Sequence, residues 1–469
     1  MEKFDVAVIG AGPGGYIAAI HCARLGKKTA LIENRELGGT CLNRGCIPTK
    51  TLLHTAELYK EIKDHGKELG LLASDDLGVD YAVLAGRKDA VIGRLRRGIE
   101  ALVRNRKITL IKGSASFTGP KTITVKSSGA DIPEAVTEYA ADNIIIATGA
   151  EPSSIPVPGA QLPLVLNSDA VLALKELPES AVIIGGGVIG VEFASLFNAL
   201  GKKITIIEIL PGILGGMDGS ICSAMTKLLA KRGVDIHTGA KLLEIKAEGG
   251  GALCVFEKDG AKKEVTGSIV IMAAGRRPMS KSLNLMAAGI TETGGFINVD
   301  EYMASCVPGI YAIGDVNGKV QLAHVASAQG LVAAENITGK NLKMDYRIIP
   351  SCIYTNPEIA SVGMTEEAAK AMGLPVKTGN FPAAANGRCT IMDSGDGFVK
   401  IVTHAETGEI LGAHIMAPRA TDMIGEIAAV MKAEGTIEEL AETIHPHPTV
   451  NEMIMEAAHD VEGRCCHKL

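Results

Sequence analysis

The stretch Phe4-Asp5-Val6-Ala7-Val8-Ile9-Gly10-Ala11-Gly12-Pro13-Gly14-Gly15 decides the fold. Residues 4–9 read as a parallel strand buried on both faces, because they form a short apolar run that ends at a glycine turn. A helical pattern follows from Tyr16 to about Leu25, then a second strand from Lys28 to Ile32 closed by Glu33. This is a complete βαβ unit with a glycine-rich first turn. Gly10 allows the tight turn, Gly12 lets a backbone approach a pyrophosphate, and Gly15 lets helix and strand pack closely. Gly14 belongs to the same loop. The helix N-terminus offers free N–H groups and partial positive charge to phosphates, and Glu33 stands where an acid accepts hydrogen bonds from ribose hydroxyls.

The same plan returns. Strand Ala181–Ile184 leads into Gly185-Gly186-Gly187-Val188-Ile189-Gly190, a helix to about Leu200, and strand Lys203–Ile207 ending at Glu208. Glu33 follows Gly10, and Glu208 follows Gly185, at the same separation of 23 positions. A lone glycine loop is a weak signal; two copies with strand, helix and terminal acid in place define two dinucleotide sites. A carboxylate at 208 repels a 2′-phosphate, which favours NAD over NADP, although Lys202 and Lys203 beside it act in the opposite sense.

Between and beyond these units the pattern varies. Leu52 to Arg106 is helix-rich and amphipathic. Ile108 to Val136 reads as short strands with Gly, Pro and Ser turns, Ile144–Ile146 as a strand, and Glu151 to Gly159 as a Pro-rich connector. Strands Val270–Ala274 and Ile310–Ile313 follow. After about residue 345, mixed strands and helices carry no dinucleotide loop. The expected fold class is α/β: two Rossmann-like dinucleotide-binding domains plus an α+β C-terminal domain. The expected boundaries are 1–148 and 276–345 for the two parts of the first domain, 149–275 for the second, and 346–469 for the third.

Composition excludes several classes. The chain has 469 residues, a formal net charge of −6, no Trp and 3% aromatics, so neither a nucleic-acid nor an anionic membrane surface is expected as partner. No targeting segment or membrane-spanning run is visible, and ten scattered cysteines suit a reducing compartment, so a cytoplasmic location is expected. One pair stands out, in Gly38-Gly39-Thr40-Cys41-Leu42-Asn43-Arg44-Gly45-Cys46-Ile47-Pro48-Thr49-Lys50. Two thiols five apart beside a dinucleotide loop form a short-loop redox disulfide candidate, with Lys50 and a helix start to stabilise a thiolate. Two thiolates without a second cluster do not make a structural zinc site, so no metal is expected.

This segment resembles the redox-active motif of the pyridine nucleotide–disulfide oxidoreductases. The resemblance covers essentially the whole chain, through Lys112-Gly113-Ser114-Ala115, Ala147-Thr148-Gly149, Glu192 after the second loop, Ala274-Gly275-Arg276-Arg277-Pro278, Tyr311-Ala312-Ile313-Gly314-Asp315, Leu322-Ala323-His324 and His447-Pro448-Thr449. It implies FAD on the first unit and NAD on the second. Cys41 would then be the interchange thiol that meets substrate, and Cys46 the thiol against the flavin. Lys50 would lie near the flavin ring and pair with Glu192. Asp315 would bind the ribityl chain, and Gly39, Thr40, Ala115, Thr148, Gly149 and Ala323 would contact FAD. Ala240 and Gly275 would line the NAD site together with Gly185, Gly187, Gly190 and Glu208.

A dithiol must lose protons before it attacks a disulfide, and an imidazole oriented by a carboxylate suits that task. The resemblance assigns His447 as this base and Glu452 as its orienter, supplied by the partner subunit of a homodimer. His445 competes for the role but reads better as a packing residue. The implied reaction oxidises protein-bound dihydrolipoamide to lipoamide with reduction of NAD. The implied partner is a lipoyl-bearing acyltransferase or a glycine cleavage carrier protein, since no lipoyl-type extension precedes the first loop. The alternative is a related NADH-dependent disulfide reductase or diaphorase. Two departures stand out. Asn451 replaces a frequent Ser, with little effect expected. The tail Gly463-Arg464-Cys465-Cys466-His467-Lys468-Leu469 places two thiols side by side, as in mercuric reductase and high-molecular-weight thioredoxin reductase, and reads best as a solvated tail with incidental cysteines.

Overall fold

The computed structural model describes residues 1–72, 77–127 and 135–468. Strand β1 (Glu2–Ile9) enters helix α1 (Pro13–Arg24), and strand β2 (Thr29–Glu33) follows. The helix starts three residues before the expected Tyr16, because Pro13 fits the first helical turn, where no N–H is needed. Helices α2 (Gly39–Arg44), α3 (Cys46–His65) and α4 (Tyr81–Asn105) come next. Strands β3 (Thr109–Gly119), β4 (Thr122–Ser127) and β5 (Val136–Ile146) complete the segment.

The short strands expected between Ile108 and Val136 are in fact parts of longer ones. β3 pairs parallel with β2 over Thr109–Lys112 and then turns into an antiparallel partner of β4, and β5 runs from that meander back into the parallel sheet beside β1. The expected strand Ile144–Ile146 is therefore the buried end of an eleven-residue strand. Residues 128–134 of that region lie outside the described residues.

The chain then crosses into the second unit. Strand β6 (Ala150–Pro152) begins the stretch expected to be a connector, and β7 (Val165–Asn167), helix α5 (Ser168–Leu172), β8 (Ser180–Ile184), helix α6 (Val188–Ala199), β9 (Lys203–Ile207) and helix α7 (Gly219–Lys231) follow. β6 pairs antiparallel with Arg276–Pro278, so the outgoing and returning crossings form a two-stranded ribbon. Strand Ile310–Ala312 then rejoins β5 in the first sheet.

The repeat seen in the sequence extends to register. Val6 pairs with Thr29 in the first unit and Ser180 with Lys203 in the second, the same offset in both. Gly10 and Gly185 sit at φ +102° and +109°, in the left-handed half of backbone space, and a Cβ on either would strike the carbonyl of Ala147 or Ala273. A Cβ on Gly15 or Gly190 would lie 1.9 or 2.0 Å from the carbonyl oxygen of Gly10 or Gly185. Helix and strand touch there, and only glycine fits.

The third unit is an antiparallel five-stranded sheet, Ser351–Ile353, Glu358–Gly363, Ile410–Ala417, Phe398–His404 and Val376–Pro382 in spatial order. Helices Ala420–Lys432 and Glu452–Val461 bury their apolar stripes in its core. A buried polar cluster ties it to the second unit: Lys400 Nζ reaches Asp218 Oδ2 at 3.0 Å and Glu366 Oε2 at 2.8 Å, with His414 Nε2 3.9 Å from Asp218. Among the described residues no helix is long and apolar enough to cross a membrane.

The tail is exposed over most of its length, as expected from its sequence, yet it is anchored. It folds back on the last helix, where Cys465 Sγ hydrogen-bonds Glu456 Oε2 at 3.1 Å and His467 Nδ1 lies 2.5 Å from Glu456 Oε1, while Cys466 stays exposed. Leu469 lies outside the described residues.

The Gly190 contact gives a direct test. Gly190→Ala forces a methyl into the Gly185 carbonyl, and overpacking of this kind costs about 1–3 kcal/mol. A fall of that size in unfolding free energy from denaturant titration is expected, whereas Gly233→Lys, at a surface turn with open space around it, removes only its left-handed preference and costs less.

Candidate active site

Both acids that close the βαβ units grip their own glycine loops. Glu33 Oε2 accepts from Ala11 N–H at 2.7 Å and Oε1 from Arg35 N–H at 2.7 Å. Glu208 Oε2 accepts from Gly186 N–H at 2.5 Å and Oε1 from Leu210 N–H at 2.7 Å. The carboxylate that faces a ribose in the sequence reading therefore also fixes the turn from which the helix starts. No side chain caps α1 or α6 at Gly12 or Gly187, so their N-terminal amides remain for a ligand.

One cavity of about 980 Å³ runs along the first unit and reaches the edge of the second. From the first loop, Gly10, Gly12 and Gly14 line it, together with Glu33; from the redox segment, Gly39, Thr40, Cys41, Cys46 and Lys50 do. Ala115, Thr148, Gly149, Asp315 and Ala323 supply the opposite walls, and Gly187, Glu192 and Gly275 close the end. Gly15, Gly185, Gly190 and Glu208 are not in its lining: the glycines are packed beneath their loops, and Glu208 is buried under the second one. Ala240 is also outside, buried in the core of the second unit with its N–H on the Glu208 carbonyl.

The donors fit a bound dinucleotide. The buried Thr148 Oγ1 has no hydrogen-bond partner. Asp315 is half-buried beside the cavity, where loss of solvent raises its carboxyl pKa and Arg276, 3.7 Å away, partly offsets the rise. An unpaired hydroxyl, a half-buried acid and two open helix N-termini match the hydroxyls and phosphates of such a ligand.

The redox cysteines sit at two helix starts. Cys41 is on α2 and Cys46 is the first residue of α3, and both are free thiols. The Cys41 thiol donates to the Cys46 sulfur, which lowers the Cys46 pKa against the penalty of burial, and the Lys50 ammonium lowers it further. The same hydrogen bond, with burial, raises Cys41. These shifts favour negative charge on Cys46 over Cys41.

Lys50 is clamped. Its Nζ lies 2.8 and 2.7 Å from the two oxygens of Glu192, which is only 4% exposed. Glu192 Oε1 also accepts the Tyr354 N–H at 3.0 Å, and the Lys50 ammonium stands 4.7 Å from the centre of the Tyr354 ring. The sequence reading paired Lys50 with Glu192 but missed Tyr354. It lies 162 positions from Glu192, in a segment with no motif that points to the flavin side.

His447 stands elsewhere in the protomer. Its side chain is 78% exposed and outside the cavity lining, and its Nδ1 is 2.8 Å from Glu452 Oε1. Glu452 Oε2 accepts the Thr449 N–H at 2.7 Å, which fixes the carboxylate. His445 is buried instead, with Nε2 2.7 Å from Glu426 Oε1; that bond raises its pKa. Asn451, expected to matter little, donates to Glu426 Oε2 at 2.7 Å and so helps hold the same loop.

A redox thiol pair inside a dinucleotide cavity, between two repeated nucleotide units, defines a flavin-dependent disulfide oxidoreductase. The family described as pyridine nucleotide-disulphide oxidoreductase matches residues 4–330, and its dimerisation domain matches residues 349–458. The chain belongs to this family, whose members use a flavin and a pyridine nucleotide and pair through that domain as homodimers. Its relatives include the dihydrolipoyl dehydrogenase of Chlamydia muridarum, 42% identical over 97% of this chain and 96% of that one. That of Geobacillus stearothermophilus is 39% identical over 99% and 97%. The mitochondrial dihydrolipoyl dehydrogenase of Pisum sativum is 40% identical over 97% and 91%. A solved structure of the flavoprotein disulfide reductase RclA from Escherichia coli, a Cu(II) complex, superposes with TM-score 0.87 at 30% identity, covering 98% of this chain and 99% of that one.

The electrostatic assignment of Lys50 is testable in the reduced protein. Lys50→Met removes a cation next to Cys46, so the pH at which the Cys46 thiolate forms should rise by about one unit. The pH profile of iodoacetamide alkylation reads this directly. An unchanged profile would exclude Lys50 as the partner of that charge.

Proposed function

We propose that this protein oxidises a protein-borne dihydrolipoyl group to lipoyl and delivers the electrons to NAD. The observation that carries the reading is the thiol pair, with a cation held beside it by Glu192, in a dinucleotide-sized cavity. The names of the relatives at about 40% identity supply the substrate. In this reading residues 1–148 and 276–345 hold FAD, 149–275 hold NAD, and 346–469 form the subunit interface.

The chain's own residues account for the thiol chemistry. His447 of the neighbouring subunit takes a proton from one substrate thiol. The thiolate attacks Cys41 Sγ of the Cys41–Cys46 disulfide; a substrate–Cys41 bond forms, the Cys41–Cys46 bond breaks, and Cys46 leaves as a thiolate beside Lys50. The second substrate thiol, once deprotonated, attacks the substrate sulfur bonded to Cys41. Lipoamide closes, and Cys41 leaves with the proton. A bound flavin supplies the two-electron step from this dithiol to the nicotinamide. The buried Glu208 carboxylate, oriented by two backbone amides, disfavours a 2′-phosphate and supports NAD over NADP. The exposed His447–Glu452 pair, carried by the interface domain and outside its own chain's cavity, suits a base delivered across the dimer.

NADH formation from dihydrolipoamide tests the reading. Wild-type enzyme should turn over with NAD and poorly with NADP. Cys41→Ser should abolish turnover, and His447→Gln should lower kcat on the order of 10²- to 10⁴-fold while the protein keeps its flavin. Full dihydrolipoamide turnover by Cys41→Ser would sink the mechanism, and turnover only with other disulfides would move the assignment to a reductase.

A further inference from the structure

Helix α4 carries an unusual outward face. It packs against α2 and α3, the helices that hold Cys41 and Cys46. Arg96 ties it to the redox loop, donating from Nε and Nη2 to Asn43 Oδ1 at 3.2 and 2.8 Å. Its other side exposes Arg87, Arg94, Arg97 and Arg104, and the turn beyond it adds Arg106 and Lys107. Among the described residues none of these six side chains has an ion-pair or hydrogen-bond partner. Leu95 and Leu102, seven positions apart and so on one side of the helix, are 40% and 50% exposed, and the space beside Gly98 between them is open. Arg87 and Arg94 lie beside this stripe, and Arg97 and Arg104 continue round the exposed side, where Glu100, three positions after Arg97 and four before Arg104, sits between them; Asp89 pairs with Lys88. In a chain of net charge −6, this is a concentrated cationic surface next to the redox centre.

We propose that this face docks an acidic protein domain, the one that presents the dithiol arm to Cys41. The inference rests on the dihydrolipoyl reading above. Unpaired arginines on the same helix as an exposed apolar pair suit a protein surface: the leucines bury at its edge and the cations steer a negative partner from solution. A nucleic acid fits less well, because the outward face offers no aromatic for bases to stack on; Tyr81, the helix's one aromatic residue, is buried. The helix lies directly behind the redox segment, so a domain held there keeps its arm close to the thiols, and free dihydrolipoamide needs no such contact.

The test compares two substrates with one holoenzyme. Arg94→Glu, Arg97→Glu and Arg104→Glu are combined; none lines the cavity. Substrates are free dihydrolipoamide and a purified, reduced lipoyl domain of net negative charge from an acyltransferase. The expected result is a roughly tenfold fall in kcat/KM for the lipoyl domain at low salt, shrinking toward wild type in high salt as the charges are screened. Free dihydrolipoamide turnover stays within about twofold of wild type. Equal loss for both substrates, or none for the domain, overturns the proposal. So does loss of the dimer by sedimentation, which would make the face a contact between subunits, and so does tighter binding of wild type to an oligonucleotide than to the lipoyl domain. A single-site Leu95→Ala variant, which keeps the charges, should weaken the lipoyl domain alone and guards against misfolding of the triple variant. If wild type turns over neither substrate, the dihydrolipoyl reading itself fails, a separate outcome.

Discussion

The Glu192 carboxylate joins three parts of the chain at one point. It starts from α6 of the second nucleotide unit, takes both contacts of the Lys50 ammonium from the redox helix, and accepts the Tyr354 N–H from the edge of the C-terminal sheet. A buried charge is stable only when it is paired and hydrogen-bonded, and each partner here comes from a different unit. Removing the carboxylate leaves an unpaired ammonium and an unsatisfied amide, and removing the ammonium leaves a buried carboxylate without its counter-charge. The cation that stabilises the Cys46 thiolate is thus held in place by the same contacts that pack the domains together, so redox electrostatics and domain packing are one constraint.

The glycine loops show a second coupling of structure to chemistry. The acid at the end of each second strand accepts two backbone amides, one from the loop and one from the chain just after the acid. Those bonds set the turn before any ligand arrives. A carboxylate at this place therefore has a reason in the protein's own backbone as well as in the ribose it would face. The repeat is one piece of backbone engineering used twice, down to the carbonyl that the third glycine touches.

What could be read in the sequence was local. Strand, loop, helix and acid lie within 33 residues of the start, and their chemistry follows from residue type and spacing; the Cys41–Cys46 segment lies just beyond. The long-range elements carried no such mark. β3 and β5 looked like short strands because each changes partner midway, β3 from a parallel neighbour to an antiparallel one and β5 the reverse, and the hydrophobic pattern changes with it. Gly14 and Gly330 meet across the α1 contact with the helix Ala323–Ile337, where a Cβ on either would strike backbone of the other helix, yet nothing in the sequence around Gly330 signals a partner so far away. Tyr354 was hidden for the same reason. The anchor of the exposed tail went unread: Glu456, which holds Cys465 and His467, sits inside an amphipathic helix and reads as an ordinary surface residue.

The position of His447 decides how the site can be assembled. Within one protomer the oriented imidazole is exposed and does not line the cavity that holds Cys41, and its orienter Glu452 is fixed by Thr449 on the same loop. The loop is held from behind by His445 and Asn451, both on Glu426, so the base is rigid although it is exposed. An imidazole in reach only of water has no thiol to deprotonate. In the proposed reading a second copy brings its own Cys41 opposite, and the imidazole then meets the substrate thiol that attacks it. On that reading activity depends on the subunit interface as directly as on the thiols: dilution that separates the subunits would leave each chain with its thiol pair and nucleotide cavity but without the proposed base.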